Sequence, residues 1–94
     1  MSEVLSLWQI HRDSDWPRFS DPNEGALMTL DTVISGCVTY YLESTEGLDP
    51  QRVEILKSCL EDLNGLLPTL PEEAGAYFER LRTLGLHLLA AHPL

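Results

Sequence analysis

Basic residues are scarce in this 94-residue chain: six Lys and Arg stand against fifteen Asp and Glu, giving a net charge of −9 and a pI near 4.5. A surface of that sign is repelled by phosphate backbones and anionic headgroups, so nucleic acid and membrane surfaces are poor partners. A basic protein partner, or plain solubility, is what the charge suits. Cysteine is nearly absent too, with only Cys37 and Cys59. No Cys-x-x-Cys occurs, which removes zinc-ribbon and thioredoxin-like readings. Both cysteines fall on the apolar arcs of different predicted helices and read as small core residues, a disulfide being possible only if the helices align them.

No apolar run approaches the ~20 residues needed to span a bilayer. The N-terminus lacks the charged start, apolar core and small-residue cleavage site of a signal peptide, so the expectation is a cytoplasmic protein. Patterns for chemistry are missing as well. Carboxylate-bridged metal sites in bundles need inward-facing Glu-x-x-His pairs, and the zinc-protease pattern needs paired histidines; neither is present. His87 and His92 lie about 140° apart on a helical wheel, too far to share a metal, so His87 reads as surface and His92 as a last-turn residue suited to the helix dipole. His11-Arg12-Asp13 matches a kinase catalytic triplet by letters only, with no glycine-rich loop or metal-binding companions. Asp13 and Asp15 begin like a calcium loop, but Trp16-Pro17 follows and the glycine and terminal glutamate are missing, so a solvated turn is expected. Neither cysteine has an electropositive neighbour in sequence. The sequence therefore predicts no catalytic residue, no metal and no cofactor.

What is present is helical pattern. Hydrophobic residues make up 44% of the chain and charged residues 22%, the composition of an ordinary globular domain. At this length one domain buries roughly 60–65% of its unfolded surface. The longest apolar stretch runs from Ala26 to Glu43, with Asp31 its only charge before Glu43. On a wheel of about 100° per residue, Leu27, Leu30, Val33, Ile34, Cys37, Val38, Tyr40, Tyr41 and Leu42 occupy an arc of roughly 200°, wider than one neighbour covers. Thr32, Val33, Val38 and Thr39 also suit a strand, with Ser35-Gly36 as a turn. The preceding Asp21-Pro22-Asn23-Glu24 decides for helix, since it offers a cap, an early proline and an early glutamate. Asp49-Pro50 repeats the signature before a second amphipathic helix carrying Val53, Ile55, Leu56, Cys59, Leu60 and Leu63, which Asn64-Gly65 is expected to end. Thr69-Leu70-Pro71-Glu72 reads as a capping box before a third, with Ala74, Tyr77, Phe78, Leu81, Leu84, Leu88 and Leu89 as its seam.

The N-terminal residues resist a helical reading. Val4, Ser6, Trp8 and Ile10 alternate with Leu5, Leu7, Gln9 and His11, so the pattern predicts a short strand or an extended cover. The predicted architecture is a single all-α domain, a three-helix up-down-up bundle with residues 1–20 extended, helix one over 21–46, helix two over 49–64 and helix three over 70–91. Connections of about five or six residues make consecutive helices antiparallel neighbours.

Three features point towards function. Asp31 lies at the edge of the apolar arc, where a buried carboxylate needs a partner. It either sits at the rim, in water or bonded to Ser35, or meets an arginine or tyrosine from the N-terminal segment or a second subunit. Gly36, in mid-helix, marks a place where another segment approaches closely. In the predicted bundle Asp21, Glu24, Glu61, Asp62, Glu72 and Glu73 gather at one end. Four of them stand at helix N-termini, where carboxylates suit the dipole, but Glu61 and Asp62 stand at a C-terminus, where they do not. That end is expected to dock a basic protein segment or, weakly, a divalent cation. The function expected is non-enzymatic protein–protein interaction, as a homodimer, Leu86 and the wide arc of the first helix being surfaces to cover. The alternatives are an acidic inhibitor or immunity-type protein that neutralises a basic partner, and an enzyme or small-ligand binder with a pocket the sequence does not reveal.

Overall fold

In the computed structural model, which describes residues 3–91, the chain forms four α-helices: α1 (Glu3–Asp13), α2 (Glu24–Glu43), α3 (Pro50–Leu66) and α4 (Glu72–Ala91). A 3-10 turn, Leu67–Thr69, joins α3 to α4. The all-α class holds, but the bundle has four helices rather than three, and no strand occurs among the described residues. His92 lies outside them.

The N-terminal helix is the main correction. Val4 and His11 are buried and Leu7 and Trp8 half-buried, which is the i, i+3, i+4, i+7 stripe of a helix. The stripe is hidden in the sequence because its last member is a histidine, which the alternating pattern assigns to the polar side. The extended cover is confined to the stretch between α1 and α2. There Pro17 is buried, and the rings of Trp16 and Phe19 pack edge-on against Phe78 with centroids 5.6 Å and 6.4 Å away.

Helix boundaries follow local chemistry. Asp21 closes a turn by accepting the Asn23 N–H (2.7 Å), so α2 begins from Asn23 rather than from Asp21. Asp49 caps α3 as expected, accepting the Arg52 N–H at 2.8 Å ahead of Pro50. Asn64-Gly65 does not end α3. A glycine stops a helix by taking positive φ, and only Gly47, in the α2–α3 loop, does so (82°). The Thr69 hydroxyl donates to the Leu66 carbonyl at the end of α3 (2.7 Å).

The helices alternate in direction. Arg82 and Gly85 of α4 meet Asn64 and Leu60 of α3 in reverse order, and Tyr77 and His87 likewise meet His11 and Glu3 of α1. Both α4 and α2 touch the other three helices, α4 the more extensively, whereas α1 packs on α4 and α2 and not on α3. Phe78, Leu27, Ile34, Leu56, Leu81 and Leu84 fill the fully buried centre.

Candidate functional site

Two features stand out against this frame, one buried and one exposed. The buried one is centred on Asp31, whose side chain is 19% accessible. Its Oδ1 accepts the proton of His11 Nε2 at 2.8 Å and, at 3.4 Å, that of the Ser35 hydroxyl, while Oδ2 accepts the Tyr77 hydroxyl at 2.8 Å. The carboxylate thus joins three helices. Of the expected partners, Ser35 and a tyrosine are present, but the tyrosine comes from α4, and the N-terminal segment supplies a histidine.

Burial pushes the Asp31 carboxyl up, but the hydrogen bonds from His11, Tyr77 and Ser35 and the charge of His11 outweigh it and hold the group below the ordinary aspartate value. Burial and the Asp31 acceptor raise the Tyr77 phenol well above its ordinary range. His11 is 4% exposed, and its Nδ1 is buried with no hydrogen-bond partner. Asp–His pairing is the arrangement of a general base, but a base must reach its substrate. Solvent does not reach this nitrogen, and the bonds of the cluster tie α1 to α2 and α4.

Burial likewise pushes up the free thiols of Cys37 and Cys59, the opposite of what a nucleophilic cysteine requires. No group of three or more His, Cys, Asp or Glu among the described residues could hold a metal ion. His87 is not merely surface: it is half-buried and its Nδ1 lies 3.0 Å from Glu3, a second link between α4 and α1.

The exposed feature is the outer side of the α2–α3 pair. Between Gly25 and Leu42 the only charged residue of α2 is Asp31, which is turned inward. The outward face therefore carries no charge over that span: Gly25, Ala26, Met28, Thr29, Thr32, Gly36 and Tyr40 are all exposed, Met28 by 53%. Two hollows follow the seam. One, about 490 Å³, lies among Val33, Gly36, Cys37 and Tyr40 of α2 and Gln51, Arg52 and Ile55 of α3. The other, about 660 Å³, lies among Asn23, Ala26, Thr29 and Leu30 of α2 and Glu61, Asp62, Gly65 and Leu66 of α3. At the first, the Arg52 guanidinium stacks 3.8 Å over the Tyr40 ring and pairs with Asp49.

Gly36 belongs to this open face. Apart from its own helix backbone and chain neighbours, no atom of the described residues lies within 4 Å of where its Cβ would be, so the expected close approach is not made among the described residues. It occurs at Gly85 instead, where a Cβ would stand 2.8 Å from Leu60 Cδ2. Of the six acidic residues expected to cluster, the alternating helices place the start of α2, the end of α3 and the start of α4 at one end. Glu61 and Asp62 line the second hollow. Asp21 is engaged with Asn23, Glu24 is half-buried, and Glu72 and Glu73 are exposed in the first turn of α4.

Sequence reasoning missed His11, one of the two buried ionisable partners of Asp31. The available signal was its spacing of seven from Val4 and of four from Leu7. Compared with known protein families, characterised proteins and solved structures, the chain matches none. No helix is long and apolar enough to cross a membrane.

Proposed function

We propose that this is a non-enzymatic protein–protein interaction module whose recognition surface is the outer face of α2 and α3. The observation that supports this reading is the uncharged outward side of α2. Solvated helix faces carry Lys, Glu or Arg, which add solubility and intrahelical pairing at little cost. Here seven exposed positions between Gly25 and Tyr40 carry small, hydroxyl or apolar side chains in a protein otherwise rich in charge. Ile55 (40% exposed) and Tyr40 (38%) extend the patch across the seam. In this reading the face is covered by another chain, and a homodimer is the form it takes when the protein is alone and concentrated.

A photo-crosslinking residue placed at Thr32, compared with the same residue at Glu79 on α4, tests this in cells. Crosslinks to protein at position 32 and not at 79 are expected; equal or absent crosslinking at 32 overturns the reading. Sedimentation at micromolar concentration checks the homodimer, which Thr29→Arg should dissociate without lowering Tm.

A further inference from the structure

The two hollows of the α2–α3 seam follow one another along it, one on residues 33–43 and 51–55 and the other on 23–30 and 61–66, and together they are referred to as the channel. On α2 they are lined by Asn23, Ala26, Leu30, Val33, Gly36 and Tyr40, a helical row of spacing three and four. From Asn23 to Tyr40 this row is about 26 Å long at 1.5 Å per residue, about the length of a five-turn helix. We propose that the channel binds a basic amphipathic helix of another protein, its apolar side on Ala26, Val33, Tyr40 and Ile55 and its Lys or Arg residues against Glu61 and Asp62. This rests on the reading of the face as a recognition surface and names its occupant.

Shape is the first argument. A pair of antiparallel helices offers a groove to a third, and α4 already fills the groove on the side of Leu60 and Asn64. The opposite groove is open, and positions 36 and 65, where a ridge would otherwise rise, are glycines with no atom near their absent Cβ. A helix backbone approaches most closely over such positions.

Charge selects the occupant. The channel is lined by Glu43, Glu61 and Asp62 against one base, Arg52, which is already paired with Asp49. Glu61 and Asp62 are exposed and have no ion pair among the described residues. A second copy of the chain would bring the same acids and a further net charge of −9 to the contact. A basic helix meets these carboxylates with opposite charge, so it outcompetes the second copy.

The probe is a helical peptide of about eighteen residues, cut to the channel length, with leucines along one side and lysines along the flanks. Its controls are a scrambled peptide of identical composition and a glutamate-flanked counterpart. Binding is read by fluorescence anisotropy, and the contact surface by amide chemical shifts. The lysine-flanked peptide is expected to bind at micromolar concentration, weaken as salt rises, and shift amides of residues 23–40 and 51–66. Replacing the acids together, Glu61→Gln with Asp62→Asn, should weaken it about tenfold, the equivalent of about 1.4 kcal/mol, with Tm unchanged or raised. The proposal is overturned if the peptide fails to bind, if the scrambled peptide binds equally, or if the double variant binds as well as the parent chain. Should Thr32 crosslink to protein while the peptide fails, the recognition face stands and its occupant is wrong. Should Thr32 also fail to crosslink, the face itself is not a recognition surface.

Discussion

At the scale of single residues, Asp31 is the side chain on which most depends, because it is a carboxylate under an apolar layer with three donors from three helices. Removing one donor leaves the carboxylate underbonded rather than merely losing a contact, which is the costlier outcome. Tyr77→Phe should therefore cost about 1–2 kcal/mol in urea unfolding. His11→Ala should cost more, about 2–4 kcal/mol, since it also leaves a cavity under α1. Because both donors act on one acceptor, the double variant should lose less than the two singles together. Strict additivity would show that the two bonds are independent. The pH dependence has a definite sign. The Asp31 carboxyl is held below its ordinary value in the fold, so its contribution is complete above the unfolded-state pKa of about 3.9 and is lost as pH falls through the lower folded value. Acid titration of Tm below about pH 4 should thus fall more steeply for the parent chain than for Asp31→Asn.

At the scale of elements, the glycines of α2 and α4 are opposites in environment. Gly36 faces open space, so Gly36→Ala should stabilise α2 by about 0.5–1 kcal/mol through helix propensity alone. Gly85 lies against Leu60, so Gly85→Leu should destabilise by about 1–3 kcal/mol through overpacking. Thermal denaturation of the two variants decides, and a loss at Gly36 would mean that something in the chain occupies that face. The distinction was not legible in the sequence, where each is a glycine within a helical pattern. Helix starts were more legible, because a proline preceded by aspartate states a backbone requirement locally, as Asp49-Pro50 does. The stop at Asn64-Gly65 was misread because a glycine ends a helix only when the tertiary fold lets it take positive φ. The helix α1 was missed for a different reason: its period depends on His11 counting as a core residue, and only a partner from another helix makes it one.

At the scale of the whole molecule, nine net negative charges repel one another across a domain whose Cα extents are 39 × 24 × 16 Å. The surface ion pairs, Arg12–Asp13, Lys57–Glu54 and Arg82–Glu79, involve exposed or half-exposed groups and contribute little each. Screening should therefore help more than it harms, and Tm should rise as salt is added up to physiological strength. A fall in Tm would show that attractive pairs outweigh the general repulsion. Under the proposed reading of the α2–α3 face, the same imbalance disfavours a second acidic chain there, since it approaches against this field.

The helical class, the positions of three of the four helices and the sign of the surface charge were determined by the sequence alone, because each depends on residues within a turn or two or on composition. The partners of Asp31 were not, since His11 and Tyr77 lie 20 and 46 residues away and meet it only when α1, α2 and α4 pack. Nor was the channel. Val33, Tyr40 and Ile55 belong to apolar arcs in which every residue looks destined for the core, and it is the finite number of helices that leaves one side uncovered. A wheel shows how wide an apolar arc is, whereas only packing decides which part of it the chain itself can bury.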